Sequence, residues 1–239
     1  MTTSGTYNFA PGAGELVLNA FAQCCLRRAE LTTEHWADAA VAFGLLMADM
    51  SNRNPHQFAL ETVPQVLEAL TAAYTLPARV LAIAIAYIDT TDATGATTSR
   101  VIGPISATEY AAIPSKGDSG PPTSYWFNLQ EAAPVITLYP VPDAATTYTM
   151  RVVTFRQLQD VTVSSGVNVD VPFRFLDAVT TGLAARLADM YPEKLVKQKG
   201  PQAIDRLYAQ YEAKFNLAAR RDQENVPMFI SPGLDGYYR

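Results

Sequence analysis

Residues 33–50 read Thr-Glu-His-Trp-Ala-Asp-Ala-Ala-Val-Ala-Phe-Gly-Leu-Leu-Met-Ala-Asp-Met, and within them Trp36, Ala40, Phe43, Met47 and Met50 recur at steps of 4, 3, 4 and 3. Side chains at that spacing line one face of a helix. With Thr32 and Thr33 as caps and Asn54-Pro55 as the stop, the stretch predicts a long amphipathic helix. A buried stripe needs partners, and two more stripes lie far downstream: Leu176, Val179, Leu183, Leu187 and Met190, then Ile204, Leu207, Tyr211, Phe215 and Ala218. Pro172 suits the start of the first, Pro192 ends it, and Gly200-Pro201 breaks the chain before the second. Upstream, Gly12 to about Arg28 also has a helical pattern, with Glu15 in its first turn and Arg27 and Arg28 in its last, as a helix dipole favours. Four amphipathic helices from the two ends of the chain predict an antiparallel bundle with the middle of the sequence inserted between the second and third.

That middle has a different texture. Prolines at 64, 77, 104, 114, 121, 122, 134, 140 and 142 punctuate short Thr- and Val-rich runs. Val80 to Asp89, Ser99 to Ile102, Tyr125 to Asn128, Val135 to Tyr139 and Thr147 to Phe155 read as strands separated by turns such as Thr94-Gly95 and Pro142-Asp143. Ser106 to Glu109 is a capping box, predicting a short helix to Ile113. Gln57 to Ala73 is ambiguous, since its Leu, Glu and Ala favour helix while Pro64 interrupts it. The expected fold class is α+β. Its expected divisions are 1–56 for an N-terminal arm and two helices, 57–168 for an inserted β domain with one short helix, 169–224 for two further helices, and 225–239 for an extended C-terminal tail.

The chain has 239 residues, 49% of them hydrophobic and 17% charged, which suits a folded protein with a real core. Its 18 Lys and Arg stand against 23 Asp and Glu, a net charge of −5 that disfavours gripping nucleic acid through phosphates. No segment is a basic stripe. Residues 1–59 carry three basic against five acidic side chains, 60–160 five against nine, and 161–239 ten against nine. Met1 to Gly5 lacks the basic and apolar regions of a secretory signal, so a cytoplasmic site of synthesis and assembly is expected. The longest apolar run, the nine residues Val80 to Ile88, is far short of a membrane-spanning helix. Cys24 and Cys25 are adjacent in a helical pattern, which disfavours a disulfide between them and predicts two buried thiols.

Catalytic chemistry finds little support. Gly117-Asp118-Ser119-Gly120-Pro121 resembles the nucleophile loop of trypsin-like proteases, but His35 and His56 are the only histidines, both precede the β region, and paired β-barrels are not predicted. A Gly- and Pro-rich surface turn is the expected reading. Two histidines without spaced Cys, Asp or Glu partners make no metal site, and no phosphate-binding Gly-rich loop follows a strand, so neither metal nor cofactor is expected. Trp36 reads as core, and Lys194, Lys197 and Lys199 as a solvated face. The C-terminal stretch Asn225 to Arg239, with Met228, Phe229, Ile230, Tyr237 and Tyr238, is apolar and aromatic in the way of segments that lie on a surface.

The order of elements, two helices, a β insertion, two helices and an aromatic tail, resembles the head-to-tail adaptor family of tailed bacteriophages, of the tail tubular protein A type found in short-tailed phages. The likeness is carried by Tyr74-Thr75-Leu76-Pro77, Arg100 to Ile105 followed by Glu109-Tyr110, and Gly120-Pro121 leading to Tyr125-Trp126-Phe127. It continues through Ile136-Thr137-Leu138-Tyr139-Pro140 with Pro142, the Thr149 to Arg156 run, and Val171-Pro172 with Phe175, Asp177 and Ala178. The resemblance implies that Val63 to Leu70 and Ala73 to Leu76 form a strand pair despite their helical propensity.

It further implies a structural virion protein rather than an enzyme. Such a protein forms a ring, dodecameric in this family, in the neck between capsid and tail, bound to the portal protein and presenting a platform to the tail nozzle protein and tail fibres. The β domain would face ring neighbours and the tail, and double-stranded DNA would only pass through the channel. The portal contact is expected in the C-terminal tail, at Val226, Met228, Phe229, Ile230, Leu234, Tyr237, Tyr238 and Arg239. Two other readings remain open on the residues alone: another neck or stopper protein, and a small hydrolase whose site is assembled from scattered residues.

Overall fold

The computed structural model describes residues 5, 9–53, 56–91, 95–164 and 166–222, and over these the chain is α+β. Two helices come first, α1 (Ala13–Gln23) and α2 (Thr33–Arg53). Four strands follow, β1 (Leu60–Val66), β2 (Ala73–Thr75), β3 (Val80–Thr91) and β4 (Thr97–Pro104), then the short α3 (Ala107–Ala112). Strands β5 (Ser124–Asn128), β6 (Val135–Tyr139) and β7 (Thr147–Arg156) complete the sheet, and α4 (Leu176–Met190), α5 (Pro192–Lys199) and α6 (Ala203–Arg221) close the described chain. The strands expected from residue pattern and the capped helix at Ser106 are all present, and Ser106 Oγ does accept from the Glu109 N–H at 3.1 Å.

One curled sheet runs in the order β1-β7-β3-β4-β5-β6-β2. Every neighbouring pair is antiparallel except β4 and β5, which run parallel across Gly103↔Ser124 and Pro104↔Tyr125, the crossover being made through α3. Alternation fixes the register. Tyr148, Met150, Val152 and Thr154 of β7 point into the core while Thr149, Arg151 and Val153 point away, and Ile88↔Met150 and Ala86↔Val152 bring matching apolar residues of β3 opposite them. The entering and leaving strands pair with each other, from Leu60↔Phe155 to Val66↔Thr149.

The strand assignment for β1 and β2 is borne out, but they are not a pair. β1 lies at one edge against β7, and β2 at the other edge against β6. An edge strand tolerates Pro64, whose missing N–H deprives no neighbour. β1 also ends earlier than expected, since Leu70 takes a φ of 61° in a turn whose N–H is bonded to the Pro142 carbonyl.

Helices from both ends of the chain share a second hydrophobic core. Phe21 of α1, Phe43, Leu46 and Met50 of α2, Val179 and Leu183 of α4, and Tyr211 and Phe215 of α6 are all buried in it. α4 is central: it packs on α1, α2 and α6, and its inward residues run from Leu176 through Thr180, Thr181 and Gly182 to Ala188, nearly round the helix. Thr180 and Thr181 donate to the Leu176 and Asp177 carbonyls one turn back, so their burial leaves no hydroxyl unmet. At Gly182 a Cβ would stand 2.8 Å from the Tyr211 ring and 3.0 Å from Leu46 Cδ1, so the absent side chain is what lets three helices approach.

Three local expectations need correction. α1 stops at Gln23 rather than near Arg28, because Cys25 turns to a φ of 63° and the Leu26 N–H reaches back to the Phe21 carbonyl. Arg28 belongs instead to a separate 3-10 turn, Arg28–Glu30. Cys24 is buried but Cys25 only half-buried, both as free thiols. Pro192 does follow α4, yet it also opens α5 as its first residue, a position where its lost N–H is harmless.

Candidate functional site at the end of the last described helix

Asp222 follows the last turn of α6, after Arg220 and Arg221, and an acid there opposes the helix dipole. Its side chain is nonetheless only 3% exposed, so it must be held by groups that repay its burial. Oδ2 accepts the Gln57 backbone N–H at 2.9 Å, and Oδ1 accepts from Arg174 Nη2. His56 Nδ1 lies 3.9 Å from Oδ2, beyond hydrogen-bond reach. The other ring nitrogen, Nε2, is 3.0 Å from the Met50 carbonyl, and since a carbonyl only accepts, Nε2 carries the proton.

Three stretches widely separated in sequence meet at this point. They are the end of α2 and the approach to β1 through Met50, His56, Gln57 and Phe58, the approach to α4 through Arg174 and Phe175, and the end of α6 through Phe215 and Asp222. Aromatic rings wall it in. His56 stacks on Phe58 at 5.1 Å between centroids and meets the edges of Phe175 and Phe215, while the Arg174 guanidinium lies over Phe58 at 5.9 Å and Phe175 at 5.8 Å. Burial pulls the His56 pKa below 6.5, against the opposing pull of the Met50 carbonyl and the Asp222 carboxylate, so the imidazole is neutral at pH 7. Arg174 supplies the cation facing Asp222. Its Nε is buried with no hydrogen-bond partner among the described residues, which makes the pairing through Nη2 the one that satisfies this end of the side chain.

Beside this cluster a groove is lined by Ser51, Arg53, His56, Ala59, Phe155 and Leu158. Its Ser and His are already committed to backbone: Ser51 Oγ donates to the Met47 carbonyl at 2.9 Å and accepts the Leu158 N–H, while His56 donates to Met50. A hydroxyl and an imidazole so engaged are not a nucleophile and its base. Cys24, the most buried thiol, donates to the Ala184 carbonyl at 3.2 Å, and burial with the neighbouring Cys25 pushes its pKa up to about 12.

The residues weighed from sequence fall as follows. Ser119 lies in the β region, where it bridges to Val141, and Asp118 accepts from the Tyr139 hydroxyl at 3.3 Å. His35 instead receives the Thr32 N–H and hydroxyl at the start of α2 and stacks on Tyr191 at 4.5 Å. The Gly117 to Pro121 string is thus a turn in the β region, with its serine and the histidines in different places. Lys194 pairs with Glu30 at 2.6 Å, Lys199 donates to the Gln23 carbonyl, and Lys197 is exposed. Among the described residues no group of three His, Cys, Asp or Glu could hold a metal ion, and no helix is long and apolar enough to cross a membrane.

Val226, Met228, Phe229, Ile230, Leu234, Tyr237, Tyr238 and Arg239 lie outside the described residues. Sequence reading missed Asp222, Arg174 and Gln57, whose partners are 48 to 165 positions away. One signal was available: an acid directly after a basic final turn.

The sequence model of a protein family described as SU10 adaptor protein matches residues 14–232. No curated protein matches the chain.

Proposed function

The chain belongs to the SU10 adaptor protein family, a phage head-to-tail adaptor family, and from that premise we propose that it forms a ring between the portal and the tail nozzle. Membership over residues 14–232 is the observation that carries this reading. It makes the protein a structural part of the virion neck, associated with portal and tail proteins, in which function is geometric.

In this reading the helices at the two chain ends form an antiparallel bundle that builds the ring, the β insertion faces ring neighbours and the tail, and twelve copies enclose a channel for double-stranded DNA. The excess of acid, 23 Asp and Glu against 18 Lys and Arg, favours transit over capture, because few counterions are released when DNA meets such a surface. Residues 226–239 make the portal contact, anchored by Phe229, Ile230, Tyr237 and Tyr238 and supplemented by Val226, Met228, Leu234 and Arg239. The fixed position of Asp222 supports this, since a segment that must find a partner gains from leaving the body at a defined point.

Electron microscopy of the chain mixed with its portal protein tests the proposal. A closed ring of added density on the narrow end of the portal is expected. Deleting 226–239 is expected to abolish that association while leaving helical circular dichroism intact. Portal binding by the truncated chain at wild-type strength would refute the role given to the tail.

A further inference from the structure

α2 and α6 each present a second face, opposite the one that enters the core. On α2, Ala37, Val41, Leu45 and Ala48 are exposed along one line, with Val41 62% and Leu45 55% exposed, and half-buried Gly44 beside them. This face is apolar. The helix carries the acids Glu34, Asp38 and Asp49, and its arginine, Arg53 at the last position, turns to Asp49 and Glu212. Glu34 is exposed and has no ion pair among the described residues. Asp38 is taken by the Tyr191 hydroxyl, and Asp49 meets Arg53 and Arg186 through Oδ2 alone.

The outer face of α6 is its counterpart. Ala209, Ala213 and Leu217 are exposed at helical spacing, Leu217 at 53%, and Arg206 and Arg220 stand exposed at the two ends. Neither arginine has an ion pair among the described residues. The acids of this helix lie aside: Glu212 is held by Arg53 at 2.5 Å, and Asp205 is displaced toward the flank by its helical position. At 1.5 Å per residue, Arg206 and Arg220 are about 21 Å apart, and Glu34 stands one turn before Ala37 at the start of the α2 line. Two apolar lines with small residues among them thus carry opposite charge, the acid Glu34 on one and Arg206 and Arg220 on the other, all without an ion pair among the described residues.

We propose that the α2 face of one copy receives the α6 face of the next. Two different surfaces of one chain that fit each other make a heterologous contact, the kind that closes into a ring when its rotation permits, whereas a single self-complementary patch would stop at a dimer. Ala209, Ala213, Gly44 and Ala48 let the two backbones approach, Val41, Leu45 and Leu217 fill the seam, and the end charges set its direction. This assignment rests on the adaptor reading and names the contact through which the ring is built.

The test adds wild-type and variant full-length chains to the portal protein and scores rings by electron microscopy and native mass spectrometry. Leu45→Arg and Leu217→Arg are each expected to weaken ring formation at least about 100-fold, since each buries an unpaired charge in the seam. Their circular dichroism and Tm should match wild type, because both side chains are more than half exposed in the single chain. Glu34→Arg is expected to weaken assembly about 10-fold, and adding Arg206→Glu or Arg220→Glu to the same chain to restore it; whichever rescues gives the direction in which the helices run. Normal rings from both leucine variants overturn the assignment, whether it is the portal or residues 223–239 that cover those side chains. If the wild-type chain itself forms no ring on the portal, the adaptor reading fails first.

Discussion

Replacing Gly182 with alanine measures how closely α4 is held by its neighbours. The added Cβ would stand 2.8 Å from both Cδ2 and Cε2 of Tyr211 and 3.0 Å from Leu46 Cδ1, whereas carbon atoms rest at roughly 3.5–4.0 Å. Tyr211 cannot retreat. It is 2% exposed, packs on Phe215 with 6.0 Å between ring centroids, and carries the Arg53 guanidinium 5.0 Å from its own centroid. Overpacking of this kind costs about 1–3 kcal/mol, while alanine gains about 1 kcal/mol over glycine in helix propensity. The clash should win by about 1 kcal/mol. Gly44 provides the contrast, since a Cβ there meets nothing within 4 Å among the described residues, so Gly44→Ala should stabilise by about 0.5–1 kcal/mol. Urea unfolding of the full chain by circular dichroism should then show the two midpoints moving in opposite directions at unchanged slope. In Tm the separation is about 4–8 °C for a chain of this size. Adding Tyr211→Ala to Gly182→Ala should recover part of the loss relative to additivity. Shifts of the same sign at 182 and 44 would refute the close approach of α4 and α6.

Asp222→Asn keeps an acceptor for the Gln57 N–H but removes the charge facing Arg174. Because Arg174 is about a quarter exposed, the expected loss is about 1–2 kcal/mol by urea unfolding, with Asp222→Ala larger; no loss in either would mean the Asp222 cluster is not a fastening. A second prediction concerns pH. With the folded His56 pKa held below 6.5, the unfolded chain binds more protons than the folded one just beneath that value, so this contribution is complete above pH 6.5 and is lost as pH falls through the folded pKa. His56→Gln should flatten stability between pH 7 and 5.5, and a slope that survives the substitution would assign it elsewhere. Asp170 acts in another range. Burial alone would raise its pKa, but the hydrogen bonds from Arg156 and the Gln159 N–H lower it below 3.8, so its contribution is lost only in stronger acid.

What the sequence could reveal followed the range of the forces involved. The stripe from Trp36 to Met50 and those on α4 and α6 were legible because a periodic apolar face is a local record of burial, and Ser106 with Glu109 because a capping box closes within four residues. β1 and β2 were not legible from propensity. Leu67, Glu68, Ala69 and Leu70 favour helix but form the turn between them, and Leu60–Val66 and Ala73–Thr75 are held extended only by pairing with β7 and β6 at the sheet edges. The early stop of α1 carries no glycine to announce it, since Cys25 takes the left-handed turn itself. The cluster around Asp222 was hidden for a different reason. His56, Arg174 and Asp222 are each unremarkable alone and acquire a role only when the fold brings α2, α4 and α6 to one point.

The pairing of β1 with β7 has a consequence for how this architecture can diversify. Because Leu60 sits opposite Phe155, the backbone departs for the sheet and comes back at neighbouring positions, about 5 Å apart as Cα partners in an antiparallel ladder are. Everything between is a closed excursion, tied at its neck. Turns such as that joining β6 to β7 can lengthen, shorten or be replaced without shifting the points at which the helices receive the chain. The helical layer can therefore stay constant while the excursion is remodelled for a different neighbour, a modularity that follows from one strand pair.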